Sequence, residues 1–329
     1  MKNSVLIISS DYDETVDAVS EWISYYGSSF KRQSSFDIFY ENDTYNVSLD
    51  NNNFPNASIN GENAFRTFYS LWIRKGSELP KIQLDGINDN ALKSQINSHL
   101  LAELMESKIS FIDYLESTIY AIGTIPTHRN NKISQLLSAK KCNLLIPATI
   151  ITNSKKELLD FHAVYEKIIS KNMKDSVFLK TKETVYAMYT EFITKETIEA
   201  LDDFFIPTIV QEYIDPQYNI KTFYFDSMFY SMAIFDFKNS QIEPDYRKRY
   251  LNNNLRYVPI SLPKEIEKRL QDLMNDLQLN IGTIDLIKSK NNEFIFLEVN
   301  PTGQFGMISY HCNYKLEKLI AKKLCKTVI

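Results

Sequence analysis

The apolar runs Thr283–Ile287 and Phe294–Val299, joined by the polar segment Lys288–Glu293, constrain this chain more than any other stretch. Two such runs around a polar turn predict an antiparallel hairpin. Asp285 interrupts the first run between Ile284 and Leu286. Glu298 interrupts the second, and Asn300 follows one strand period later. Side chains two apart on a strand point the same way, so Glu298 and Asn300 share a face. Asp285, placed across the hairpin, completes three oxygen donors around a hard cation. Mg²⁺ suits such a set, because it binds few protein oxygens and keeps room for phosphates and water. A lone pair of acids more often faces water, but apolar neighbours on both sides of each acid favour the metal reading. Pro301 ends the strand, and Gly303 and Gly306 permit a loop in close backbone contact with a neighbour.

Composition narrows the class. A chain of 329 residues that is 44% hydrophobic can bury a large core in two or three domains. Its net charge of −4, with Lys and Arg dispersed, gives no reason to expect a nucleic-acid or anionic-membrane partner. Cys142, Cys312 and Cys325 lack metal-ligand spacing and read as free thiols of a reducing cytosol. The N-terminal apolar run Val5–Ile8 is too short for a signal peptide or a membrane span. The expected location is therefore cytoplasmic.

In chain order, Val5–Ser9 reads as a buried strand and Thr15–Tyr26 as a helix stopped near Gly27. Phe36–Tyr40 and Tyr45–Leu49 read as short strands, and SLWIRKG as another whose Arg74 and Lys75 emerge at its end. Asn88–Glu116 has a helical apolar stripe and predicts two helices. Helix Asn130–Lys141 precedes LLIPATIIT, a strand broken at Pro147, and Ser154 with Glu157 forms a capping box for the next helix. DSVFLKT reads as a strand ending in Lys180, whose burial among apolar residues calls for an anion. TVYAMYTEFIT alternates like a hairpin, PTIVQEYI reads as a strand ending at Gln211 and Glu212, and NIKTFYFDSMFYSMAIF turns at Asp226–Ser227. Pro263–Leu279 is an amphipathic helix opened by proline, and Asn313–Cys325 closes the chain as a helix. From residues alone Lys132 reads first as an ordinary solvated lysine and DYRKRYLNNN as a solvated basic loop, while Gln211 and Glu212 are equally a polar strand end. His311 has no partner at motif spacing.

GTIDL followed by FLEVNPTGQFG resembles the C-terminal metal-binding signature of ATP-grasp ligases, most closely the graspetide branch of microviridin-type and grasp-with-spasm peptide maturases. The resemblance covers nearly the whole chain and is strongest after about residue 125, where NK-x-x-QL and P-x-T-x-ITN match the opening of the ATP-binding region. It implies an α/β (α+β) ATP-grasp fold with a pre-ATP-grasp domain over 1–125. A central subdomain over 126–215 and a C-terminal subdomain over 216–329 would follow. It implies ATP and Mg²⁺ as cofactors, with Asp285, Glu298 and Asn300 on the metal and Lys132 and Lys180 on the phosphates. It assigns Gln211, Glu212, Tyr213 and Ile214 to the adenine and ribose end, with backbone groups of Glu212 to Ile214 reading the adenine edge. Arg247, in the segment resembling D-W-R, and Lys221, where relatives carry arginine, would balance the transferring phosphoryl charge. A lysine there keeps the charge and loses the planar fork. A second departure is the absence of a glycine-rich phosphate-covering loop in TVYAMYTEFIT.

A carboxylate is a poor electrophile until a phosphoryl group makes it an acyl phosphate, so the chemistry expected is charge neutralisation and alignment. The resemblance implies a ligase that joins Asp or Glu side chains of a ribosomal precursor peptide to its own Thr or Ser hydroxyls, or to Lys. The result is an ω-ester or an ω-amide. Precursor leader and core would be the partners, and a homodimer is one assembly to expect. An amino-acid ligase acting on a protein or small carboxylate, and a non-catalytic peptide-binding subunit, are the alternatives.

Overall fold

The computed structural model describes residues 4–10, 12–34, 38, 43–49, 51, 56–74, 82–125, 131–173, 178–181, 183–236, 244–245 and 255–325, with backbone alone at 178–180 and 185. The chain divides into two compact units. One comprises Met1–Pro126, Gln304–Tyr310 and Tyr314–Ile329; the other comprises Thr127–Gly303 and His311–Asn313.

The first unit is built on a parallel sheet. β1 (Ser4–Ser9), α1 (Glu14–Tyr25) and β2 (Ser29–Ser34) follow one another, with Asp13 capping α1 through Thr15 N at 3.0 Å. The strand expected at Phe36–Tyr40 lies outside the described residues apart from Ile38, which is buried. A small antiparallel sheet holds β3 (Tyr45–Ser48), β4 (Asn56–Ile59) and β5 (Glu62–Asn63). α2 (Ala64–Thr67) then leads into β6 (Phe68–Ile73). α3 (Asn90–Glu116) is a single helix of 27 residues where two were expected, since no Gly or Pro interrupts it. β7 (Tyr120–Ile122) completes the sheet order β2-β1-β6-β7, all parallel. A parallel sheet is covered on both faces, and every residue of β6 is buried. Arg74 therefore does not emerge as expected. It is 1% exposed, and its Nε lies 3.3 Å from Asp13 Oδ2.

The second unit carries α4 (Lys132–Lys141), β8 (Thr149–Ser154), α5 (Lys155–Val164) and β9 (Ile168–Lys171). β10 (Phe178–Lys180), β11 (Val185–Ala187), β12 (Glu191–Ile193), α6 (Lys195–Glu199) and β13 (Phe204–Glu212) follow. β14 (Pro216–Phe225), β15 (Met228–Asp236), β16 (Leu255–Ile260), α7 (Lys264–Asp276), β17 (Ile281–Ser289) and β18 (Phe294–Asn300) complete it. One sheet has the order β12-β9-β13-β8, a second the order β16-β15-β14-β17-β18, and among the described residues β10 pairs only with β11. TVYAMYTEFIT is thus not a hairpin: β11 turns back on β10, while β12 joins β9 in another sheet. The β14–β15 hairpin turns at Asp226 and Ser227, both at positive φ.

The five-stranded sheet is anchored on one face. Ile220, Ile284, Leu286, Phe296 and Val299 bury there with Leu136 and Ala139 of α4 and Leu270, Leu273 and Met274 of α7. Each of these side chains larger than alanine contributes on the order of 1.5–3 kcal/mol. Period-2 alternation sends Lys221 and Asp285 to the other face. Pro147 breaks the preceding strand as expected: Leu145 bridges Ile295 of β18, and β8 starts beyond the break in the other sheet. The closing helix forms as α9 (Leu316–Cys325), three residues shorter at its start than expected, and a helix that was not expected, α8 (Gly306–Cys312), precedes it, with Asn313 and Lys315 between them at positive φ. All three cysteines are free.

Candidate active site

β17 is buried at every position except Asp285, which is half-buried. Register explains what surrounds it. Asp285 lies directly opposite Glu298 on β18 and directly opposite Lys221 on β14, so the three side chains form one row across three strands. Thr283 lies opposite Asn300 on the same face. A bulge after Asp285, where Leu286 pairs with Phe296, makes Leu297 the extra residue and lets Glu298 keep this face while Phe296 enters the core.

Lysines close the row at both ends. Lys221 Nζ lies 2.7 Å from Asp285 Oδ1, and Lys132 Nζ lies 2.7 Å from Glu298 Oε2. Lys132 comes from the first turn of α4, which Asn131 caps by accepting from Ser134 N at 2.9 Å. Gln135, one turn on and buried, explains why that helix sits where it does. Its Nε2 donates to Val299 O and its Oε1 accepts from Val299 N, both at 2.8 Å. The amide side chain thus pairs with the edge of β18 as a neighbouring strand would. The sequence reading quoted Gln135 within a motif without giving it this role.

Burial is the strongest single influence on the Glu298 carboxyl and pushes its pKa upward. It is outweighed by Lys132, Lys171 and Lys221, which together hold the group at about 2. Lys171 is a residue that the sequence reading did not single out. Lys171 ends β9 opposite Ile209, and Gln211 lies two residues along on that same face. The opposite face, bearing Ile168 and Val210, packs on Leu158 and Ile198 of α5 and α6. Lys171 and Gln211 therefore share the face turned away from those helices. Lys180 closes the short strand β10, and only its backbone is described. Arg247 lies outside the described residues; its neighbour Asp245 is buried and accepts from Thr190 N at 3.3 Å.

Gln211 is 1% exposed, and its Nε2 donates to Thr149 Oγ1 at 2.8 Å. Its Oε1 has no hydrogen-bond partner among the described residues, an unsatisfied acceptor that a bound donor would complete. Glu212 Oε1 accepts from Ala148 N at 2.8 Å. The N–H groups of Glu212 and Tyr213 donate to Ala148 O and Lys167 O, so they are committed within the unit rather than offered to a ligand. Ile214 follows, half-buried, before β14.

Two facing carboxylates are oxygen donors of the kind Mg²⁺ takes when phosphates and water complete its shell; among the described residues no cluster of three or more His, Cys, Asp or Glu forms a metal site by itself. Asn300 lies on the expected face, but its Oδ1 accepts from Thr302 N, Thr302 Oγ1 and Gly303 N at 3.0–3.2 Å. It shapes the turn after the strand. Gly303 is required there: it has φ +31°, and a Cβ would sit 2.7 Å from Thr283 Oγ1. The close neighbour expected for this loop is thus β17 itself. Gly306 has open space beside it.

A lysine-and-acid row on one antiparallel sheet, with further lysines from a helix and a second sheet, occurs here within the ATP-grasp fold. Among solved structures, the chain is similar to a RiPP-associated ATP-grasp ligase of Chryseobacterium gregarium, in complex with ADP and a leader and core peptide. That match has a TM-score of 0.80 and 21% identity, covering 99% of this chain and 98% of that one. The macrocyclase MdnC of Microcystis aeruginosa MRC, bound with precursor peptide MdnA, matches with a TM-score of 0.77 and 25% identity over 98% and 99% of the two chains. The ATP-grasp ligase PsnB, complexed with a precursor variant, Mg and ADP, matches with a TM-score of 0.76 and 15% identity over 99% of each. No family model and no curated protein matches the chain. The fold is that of these ATP-grasp ligases over nearly the whole chain.

Proposed function

We propose that this protein is an ADP-forming ATP-grasp ligase that links Asp or Glu side chains of a ribosomal precursor peptide to hydroxyl or amine side chains of the same peptide. The observation that carries this reading is the row Lys221–Asp285–Glu298–Lys132, two acids facing one another with a lysine 2.7 Å from each. Its similarity to peptide-bound macrocyclases supports the choice of acceptor.

The peptide carboxylate attacks the γ-phosphorus of ATP, ADP leaves, and an acyl phosphate forms. The hydroxyl or amine then attacks the acyl carbon and inorganic phosphate departs. The peptide loses one water per link. Bound Mg²⁺ would supply charge neutralisation at the transferring phosphate. Asp285 and Glu298 would hold it, and Asn300 would join only by giving up its turn contacts. Lys132, Lys171 and Lys221 would meet phosphate oxygens and align them. Lys180 and Arg247 are retained in the same role on the resemblance alone. Gln211 Oε1 would accept from the exocyclic amine of adenine, with Glu212, Tyr213 and Ile214 forming the adjoining segment. A cytoplasmic location and a homodimer are part of the same proposal.

Incubating the protein with a co-encoded precursor, ATP and Mg²⁺ tests it by mass spectrometry. The expected product is lighter by one water per link, and Asp285→Asn gives none. A mass gain would point to addition of free amino acids instead. Unchanged peptide, with no ADP formed by a folded protein, would remove the enzymatic reading.

A further inference from the structure

Each carboxylate of the row already has a cation on it. Lys221 meets Asp285 and Lys132 meets Glu298, both at 2.7 Å, so the four formal charges sum to zero. A divalent ion approaching this quartet finds no net negative charge to attract it. High-affinity metal sites gain their strength from carboxylates whose charge the metal itself neutralises. The lysine ends are not sealed in. Side-chain exposures of 19% for Lys221 and 24% for Lys132 leave both ammonium groups able to change partners without crossing a dry interior. A polyphosphate offers what the exchange needs: oxygen acceptors for both lysines, and a metal carried on the same oxygens.

We propose that Lys132 and Lys221 close the acids against free divalent cation and release them only to polyphosphate, so that metal and nucleotide enter together. This rests on the ligase reading above. Partner exchange is its content: two ammonium–carboxylate pairs become two ammonium–phosphate and two carboxylate–metal pairs, with no bond made or broken.

The test is calorimetric titration of the full-length protein with MgCl₂ alone, ADP alone, and both together. MnCl₂ followed by electron paramagnetic resonance serves as a second probe. Wild type is expected to bind Mg²⁺ measurably only with ADP. Lys132→Met and Lys221→Met each remove the direct partner of one acid and are expected to bind free Mn²⁺ about tenfold more tightly than wild type, a factor equal to roughly 1.4 kcal/mol. Both are expected to bind Mg–ADP more weakly. A purely structural lysine would give no gain in metal binding. Adding Asp285→Asn to Lys221→Met should abolish the gain, and Lys132→Arg should retain the closed behaviour. Variants that bind free Mn²⁺ no better than wild type, while wild type binds Mg–ADP, overturn the exchange and leave the ligase reading standing. Wild type that binds neither metal nor nucleotide removes both.

Discussion

Asp13 and Arg74 in the first unit lie 3.3 Å apart with 3% and 2% of their side chains exposed. Lys221 and Asp285 in the second lie 2.7 Å apart with 19% and 30% exposed. The first pair is deep, flanked by β1 and β6, and Phe305 places its ring 5.3 Å from the guanidinium. Burial lowers the Arg74 pKa, and Asp13 works against that shift. Both groups are almost fully shielded from solvent, so exchanging one for a ligand would mean opening the core. The second pair sits at the one opening in an otherwise buried strand. The difference separates a charge pair that fixes a fold from one that can be traded for a ligand.

The largest expected effect comes from breaking the sealed pair. Arg74→Met leaves Asp13 charged in a dry setting and should cost about 3–5 kcal/mol of stability, read from the guanidinium midpoint with unchanged slope. Asp13→Leu combined with Arg74→Met removes both charges, and much of that loss should return. If the double variant is no more stable than the single, charge burial is not what the pair is managing. The equivalent double change at Lys221 and Asp285 should leave stability within about 1 kcal/mol.

Gln135 sharpens the comparison, because it is sealed like Arg74 yet serves the open row. Gln135→Leu keeps the volume and strips two backbone groups of Val299 of their partners, each worth about 1–3 kcal/mol if left unsatisfied. The expected outcome is a moderate loss of stability together with weaker Mg–ADP binding, since Val299 lies between Glu298 and Asn300. Stability loss with nucleotide affinity intact would confine Gln135 to holding α4 in place.

The acid hairpin was legible because strand periodicity and two interrupted apolar runs are local signals. Asp285, Glu298 and their shared face follow from them. The lysines divide differently. Lys132 could be placed from its position in a motif at a helix start, whereas Lys171 ends a run of only two apolar residues and acquires meaning through its pairing with β13. Lys180 closes a more conspicuous apolar run and is therefore the easier of the two to pick out by pattern; its strand pairs with β11. Arg74 was misjudged because a strand end looks exposed until a distant Asp13 and Phe305 cover it. The turn role of Asn300 was equally hidden, since an Asx turn and a ligand position use the same side-chain oxygen.

The smallest expected effect is the acid limb of the open row. Glu298 titrates at about 2 in the folded protein against an ordinary 4.5, because its three lysines outweigh the burial that would raise it. A carboxyl depressed on folding contributes stability above its unfolded value and loses it as pH falls through the folded one. The contribution should thus be whole near pH 5 and fade between about 4.5 and 2. With 34% of the side chain exposed, solvent screening keeps it modest. Comparing wild type with Glu298→Gln by denaturation across that interval isolates it: the stability gap should narrow steadily as pH falls. Lys132→Met should shift the narrowing to higher pH, by removing the strongest of the three lysine influences. A gap that stays constant from pH 5 to pH 2 would mean that the lysines do not hold this carboxylate charged, and the row would lose the feature that distinguishes it from the sealed pair.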